Sequence, residues 1–259
     1  MRKRVRIALA VLFVGGLGLV AWPILREREP SYQGKPLSSW LENDDGSLEA
    51  EQNAQRAVEK AGTNSIPTLL TMLRQSDSPL KRRVMDLAQR QRFIKVHWTP
   101  AEMRNSGAWV GFSTLGSNAA GATPSLMEIY GLEASEASQR YVVRSLAAIG
   151  PAANAAIPVL LRATTNSDFI VRAESLYALV RLHTEDDVAV PALTKALHDP
   201  NGSVRFVACG SLAQLGEGAK HAVPVLVKTL GDPVRDVQHR AADALRAIDP
   251  EAAAKAGVK

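Results

Sequence analysis

Four dipeptides, Thr123-Pro124, Ile157-Pro158, Val190-Pro191 and Val223-Pro224, recur along the chain with their prolines 34, 33 and 33 residues apart. This fixed period constrains the fold more than any other feature. A unit of about 33 residues encloses no core of its own and is stable when a neighbour covers its apolar side. Proline in the first turn of a helix loses no hydrogen bond and presets the backbone angle, so each dipeptide is placed at a helix start. Gly116, Gly150 and Gly216 stand eight residues before their prolines, where a left-handed cap closes the preceding helix. Asp199-Pro200 and Asp232-Pro233, also 33 apart, mark the joints between units. There Asp is expected to cap the next helix and Pro to begin it.

The apolar residues keep this register. Leu146, Leu179 and Leu212 form one row on the first helix of each unit, and Leu160, Leu193 and Leu226 another on the second; Phe112 and Leu126 occupy the matching places upstream. The pattern returns at Ile66-Pro67 with a shortened turn after Gly62. Pro67 and Pro124 are 57 apart, which is no multiple of 33, so an additional helix is expected within Pro79–Val96. After Pro233, a half unit from Val237 to Ile248 and the run Asp249-Pro250-Glu251-Ala252 predict a final helix that shields the far end. Aromatic residues make up 5% of the chain and apolar residues 46%, a balance that favours closely packed helices over strands. The expected fold is all-α: a solenoid of about five helix pairs over residues 38–259, closed by a C-terminal capping helix.

The units resemble the HEAT family, especially the short bacterial HEAT-like repeats also found in phycobilisome lyases. Val171-Arg172 and Val204-Arg205 match the family's Val-Arg opening, and Ile149-Gly150 and Leu215-Gly216 its Ile/Leu-Gly close. The match spans Ala134–Ile248 and weakens over Ser47–Tyr130, where Arg82-Arg83 and Met103-Arg104 are poor openings. The segment Tyr32–Leu41 is similar to the opening segment of membrane-tethered bacterial HEAT-repeat proteins. The resemblance implies a right-handed superhelix of antiparallel helix pairs that binds proteins along its inner face.

Residues Ile7 to Leu25 form a run of 19 without a charge, after Arg2, Lys3, Arg4 and Arg6. As a helix this run reaches about 28 Å, close to the hydrocarbon thickness of a bilayer. The basic flank places the N-terminus in the cytoplasm and the body across the membrane. Residues 1–25 are therefore expected to be a signal-anchor helix, with 26–37 as linker and the repeats in the periplasm or outside the cell. The alternative is a cleaved signal peptide and a secreted body. Ser39 to Glu42 fits a capping box that opens a helix at Trp40 and Leu41, and Asn43 to Ser47 reads as a solvated loop. The pair Gly34-Lys35 is no phosphate loop, because Pro36 stands where Ser or Thr belongs.

The net charge of +5 is concentrated in those four N-terminal cations. Residues 7–259 carry 27 basic and 26 acidic side chains, so the body gives little reason to expect a nucleic-acid partner. Cys209 is the sole cysteine, which excludes an internal disulfide and a Cys-rich metal site. The five histidines form no i, i+4 pair, and His183-Thr184-Glu185-Asp186-Asp187 reads as a polar turn. No catalytic motif, metal site or cofactor site is expected. One periodic constellation remains. Arg162, Lys195 and Lys228 each follow their repeat proline by four residues, as a basic row on the second helices suited to an acidic protein segment. Arg172 and Arg205 are assigned instead to hydrogen bonds between units. The reading is a non-catalytic protein-interaction scaffold at a bacterial membrane; the alternatives are an enzyme subunit or lyase-like protein, and a nucleic-acid-binding one.

Overall fold

The computed structural model describes residues 29–42, 47–90 and 98–258. The expected membrane helix, the loop at 43–46 and the last part of the helix expected to reach Val96 lie outside the described residues. The chain begins with a two-stranded hairpin, β1 Ser31–Tyr32 and β2 Lys35–Pro36, paired antiparallel. Gln33 and Gly34 both have positive φ, 49° and 76°, the requirement of a two-residue turn that matches strand twist. Sequence reasoning read these residues as part of the linker, because a lone Gln-Gly pair between two-residue strands leaves no alternating pattern.

The helices are α1 Leu37–Leu41, α2 Leu48–Ala61, α3 Ile66–Leu73, α4 Pro79–Arg90, α5 Ala101–Leu115, α6 Thr123–Gly131 and α7 Glu136–Ile149. They continue as α8 Ile157–Ala163, α9 Phe169–Arg181, α10 Asp186–Ala196, α11 Gly202–Leu215, α12 Val223–Thr229, α13 Arg235–Ile248 and α14 Pro250–Lys255. The first helices α2, α5, α7, α9, α11 and α13 pack one on the next in a continuous layer. Each second helix (α3, α6, α8, α10, α12) lies chiefly against the first helix of the following unit. A single unit therefore leaves one side of each helix in water until its neighbour folds.

The register residues fill this interface. Phe112, Leu126, Leu146, Leu160, Leu179, Leu193, Leu212 and Leu226 are all fully buried. At roughly 1.5–3 kcal/mol for each fully buried aliphatic side chain, these rows are the main cohesive force of the stack. Gly116, Gly150 and Gly216 have φ of 52°, 71° and 56° and close the first helices, and 3-10 turns (Gly116–Ala122, Gly150–Ala156, Gly216–Ala222) lead to the prolines. After Gly62 the turn shortens to Gly62–Ser65.

Three local expectations need correction. Ser39 opens no capping box: α1 begins two residues earlier, and Glu29 caps it from the linker by accepting from the Ser38 amide and, at 3.0 Å, from the Ser38 hydroxyl. Asp199 and Asp232 are not helix caps. Their Oδ1 atoms accept from the amides of Asn201 and Val234 within the turn, and the next helices start at Gly202 and Arg235. Pro191 is not in the first turn of its helix. In that unit His183 takes the positive-φ position (53°) held elsewhere by glycine, and α10 starts at Asp186, so Pro191 lies inside it. Asp186 and Asp187, favoured in a first helical turn, stand where the neighbouring units have Ala153-Asn154 and Ala219-Lys220.

Candidate functional site

Two surfaces compete for the role of a site, one on each layer. The basic row lies on the second helices: Arg162, Lys195 and Lys228 are exposed and occupy the last turns of α8, α10 and α12. A cation there also complements the negative end of the helix dipole, which gives all three a structural reason to exist. None has an ion-pair partner among the described residues.

The other surface was missed by sequence reasoning. Trp109 on α5, Tyr141 and Arg144 on α7, and Glu174, Tyr177 and Arg181 on α9 come together across three neighbouring first helices. The Trp109 and Tyr141 rings lie 6.5 Å apart, and the Arg144 guanidinium stands over both, 5.3 and 5.6 Å from their centres. Glu174 orients it: Arg144 Nε and a terminal nitrogen donate to Glu174 Oε1 at 2.8 and 2.6 Å. The result is a shallow groove of about 400 Å³ lined by Trp109, Ser113, Arg144, Ala147, Tyr177 and Arg181. Tyr177 is 41% exposed. A second hollow of about 250 Å³ between α1, α2 and α5 adjoins it through Trp109 and holds Trp40 and Met103. The signal in the sequence was faint, because Arg144 and Tyr177 share a register position while Tyr141 and Glu174 share another, and no residue type repeats at either.

The structure places Arg172 and Arg205 where they were assigned. Each forks onto the aspartate of the next joint: Arg172 to Asp199 at 2.8 Å for both bonds, Arg205 to Asp232 at 2.6 and 2.8 Å. Each also donates back to two turn carbonyls of its own unit, Asn166 and Ser167 for Arg172, Asp199 and Pro200 for Arg205. The Arg205 hydrogen bond, working against burial, holds the Asp232 carboxyl below its ordinary pKa. At Asp199 burial is the largest influence and opposes ionisation. The hydrogen bonds from Arg172 and Asn201 outweigh it, and that pKa is lowered too. These bidentate pairs lock one unit to the next.

Burial pushes the Cys209 thiol up to about 12, so it behaves as a small apolar side chain. The hollow beside His183, Glu185 and Asp186 is open and polar, and the described residues hold no group of His, Cys, Asp and Glu arranged for a metal ion.

The family model for HEAT repeats matches residues 123–205 and 190–256, together more than half of the chain. The chain belongs to the HEAT-repeat family. Among solved structures, the chain is similar to a designed armadillo repeat protein in complex with the peptide (KR)4, at 17% identity and a TM-score of 0.49, over 82% of this chain and 98% of that one. An engineered protein is similar at 19% identity and a TM-score of 0.42, over 85% and 96%. No curated protein matches the sequence.

Proposed function

We infer that this chain is a non-catalytic scaffold that holds a protein partner against its HEAT stack. The groove of Trp109, Arg144, Tyr177 and Arg181 carries the reading. Half-buried Trp109 and Arg144, fixed by stacking and by Glu174, stand beside exposed Tyr177 and Arg181, and aromatic and arginine side chains are the residue types that dominate protein interfaces. The groove crosses three units, so it suits an extended segment that places an apolar side chain against Trp109 and Tyr177. A carboxylate on that segment would meet Arg181, which has no ion-pair partner among the described residues. The uncharged run at 7–25 and its basic flank support a tether to a bacterial membrane, with the stack outside the cytoplasm. The basic row of Arg162, Lys195 and Lys228 would add long-range attraction for an acidic partner.

Display selection of peptides on the purified full chain tests this reading. Selected peptides are expected to bind Tyr177→Ala and Trp109→Ala about tenfold or more weakly than the unaltered chain. Reversal of Arg162, Lys195 and Lys228 to Glu should weaken acidic peptides and flatten their salt dependence. Peptides held equally by all these variants would refute the groove and the row alike.

A further inference from the structure

Helix α4 is the segment that the repeat does not require. It falls in the interval that breaks the 33-residue period, and no other described helix shares an extended interface with it. It is nevertheless amphipathic. Leu80, Val84 and Leu87 lie at i, i+4 and i+7, one stripe of an α-helix, and are 72%, 50% and 67% exposed. Three large apolar side chains on one open face are not the scattered exposure of an ordinary surface. Cations flank the stripe. At 100° per residue, about 100° separates Leu80 from Lys81 on one side, and about 60° separates it from Arg83 on the other. Arg82 lies on the opposite face. Lys81 is anchored by Asp77 at 2.5 Å, whose other oxygen caps α5 at Ala101. Arg82 and Arg83 are exposed and have no ion-pair partner among the described residues.

The geometry points to an anionic lipid bilayer surface as the occupant of this face. Apolar residues bordered by long cationic side chains lie in the headgroup plane, with the stems along the acyl boundary and the charges among phosphates. Pairing with a second copy of α4 through this face would set the Lys81 and Arg83 that border the stripe against the same cations of the other copy. The position of α4 adds a second argument, which rests on the proposed tether. Residues 26–28 alone separate the uncharged run from Glu29, a span of about 10 Å when extended. Glu29 is fixed to Ser38 of α1, Glu42 at the end of α1 pairs with Arg104 at 3.1 Å, and Arg104 also donates to Gln75 at 2.5 Å, just before α4. The helix thus hangs from the end of the solenoid that the tether would hold beside the bilayer.

The test uses the full chain, with Cys209→Ala so that one added cysteine carries a fluorophore, reconstituted in vesicles. Labels at Leu80→Cys and Leu87→Cys should be quenched by lipid-borne spin labels about threefold more than one at Arg82→Cys, in vesicles with about 30% phosphatidylglycerol. Loss of that contrast when the lipid is zwitterionic is also expected. Equal quenching on both faces, no quenching, or quenching indifferent to lipid charge would overturn the inference. So would shielding that depends on protein concentration, which marks a second copy, or shielding in detergent by a bound protein. Alkaline washing of the vesicles reads the tether separately. If the chain washes off, the tether reading fails and flotation of the free chain with anionic vesicles decides α4. Loss of flotation in Leu80→Asp/Leu87→Asp supports it, and absent or unchanged flotation overturns it.

Discussion

Removing the Asp232 carboxylate, as Asp232→Ala, isolates what one joint contributes to the stack. The side chain is 6% exposed and that of its partner Arg205 is 11% exposed, so both charges are largely withdrawn from water. Asp232 accepts two short bonds from Arg205 and one from the Val234 amide that shapes the turn into α13. Without it the guanidinium keeps the carbonyls of Asp199 and Pro200 and leaves its paired edge unsatisfied. Breaking a buried pair by deleting one partner costs about 3–5 kcal/mol, and the residual carbonyl bonds place this joint near the lower end, at about 3 kcal/mol. The exposed pair Lys220–Glu217, by contrast, should contribute less than about 0.5 kcal/mol, so Glu217→Ala is the matched control.

Urea unfolding followed by circular dichroism measures the loss, and hydrogen exchange locates it. Because stability in a repeat array is a sum of units and nearest-neighbour interfaces, exchange should quicken first beyond the broken joint, in residues 235–258, and in α12, which packs on α13. The double variant Arg205→Met/Asp232→Leu removes both charges and should recover most of the stability. The reasoning is refuted if Asp232→Ala unfolds within about 0.5 kcal/mol of the parent. It is refuted equally if the double variant is no more stable than the single one.

The same joint sets an acid limit. Since Asp232 and Asp199 have lowered pKa values in the fold, the unfolded chain takes up their protons first as pH falls. Their stabilisation is complete above about pH 4 and is lost on acidification below it, so the urea midpoint should fall steeply there, and less so in Asp232→Asn. At Gly107, an added Cβ would stand 2.3 Å from the carbonyl oxygen of Leu41, a backbone atom. Gly107→Ala should therefore displace α1, at about 1–3 kcal/mol, with a change in Trp40 fluorescence; an unchanged melting temperature and spectrum would count against that close approach.

The order of helices, the leucine rows and the glycine closures were legible in the sequence because they repeat at a fixed interval. Packing one unit on the next demands the same residue size at the same place each time, and the proline and glycine positions answer to backbone geometry alone. Arg172 and Arg205 could be assigned to the joints for the same reason. What lacked a repeated identity was not legible. Glu29 as the cap of α1, His183 in a glycine's place and the early start of α10 each depend on one local set of contacts. The groove of Trp109, Arg144 and Tyr177 depends on three helices meeting, and its residue types differ from unit to unit. Periodicity, then, determined the solenoid and its joints. The tertiary structure decided which irregular side chains converge on one surface and which helix, α4, is left with its apolar face open, because convergence depends on distance between units and leaves no period to read.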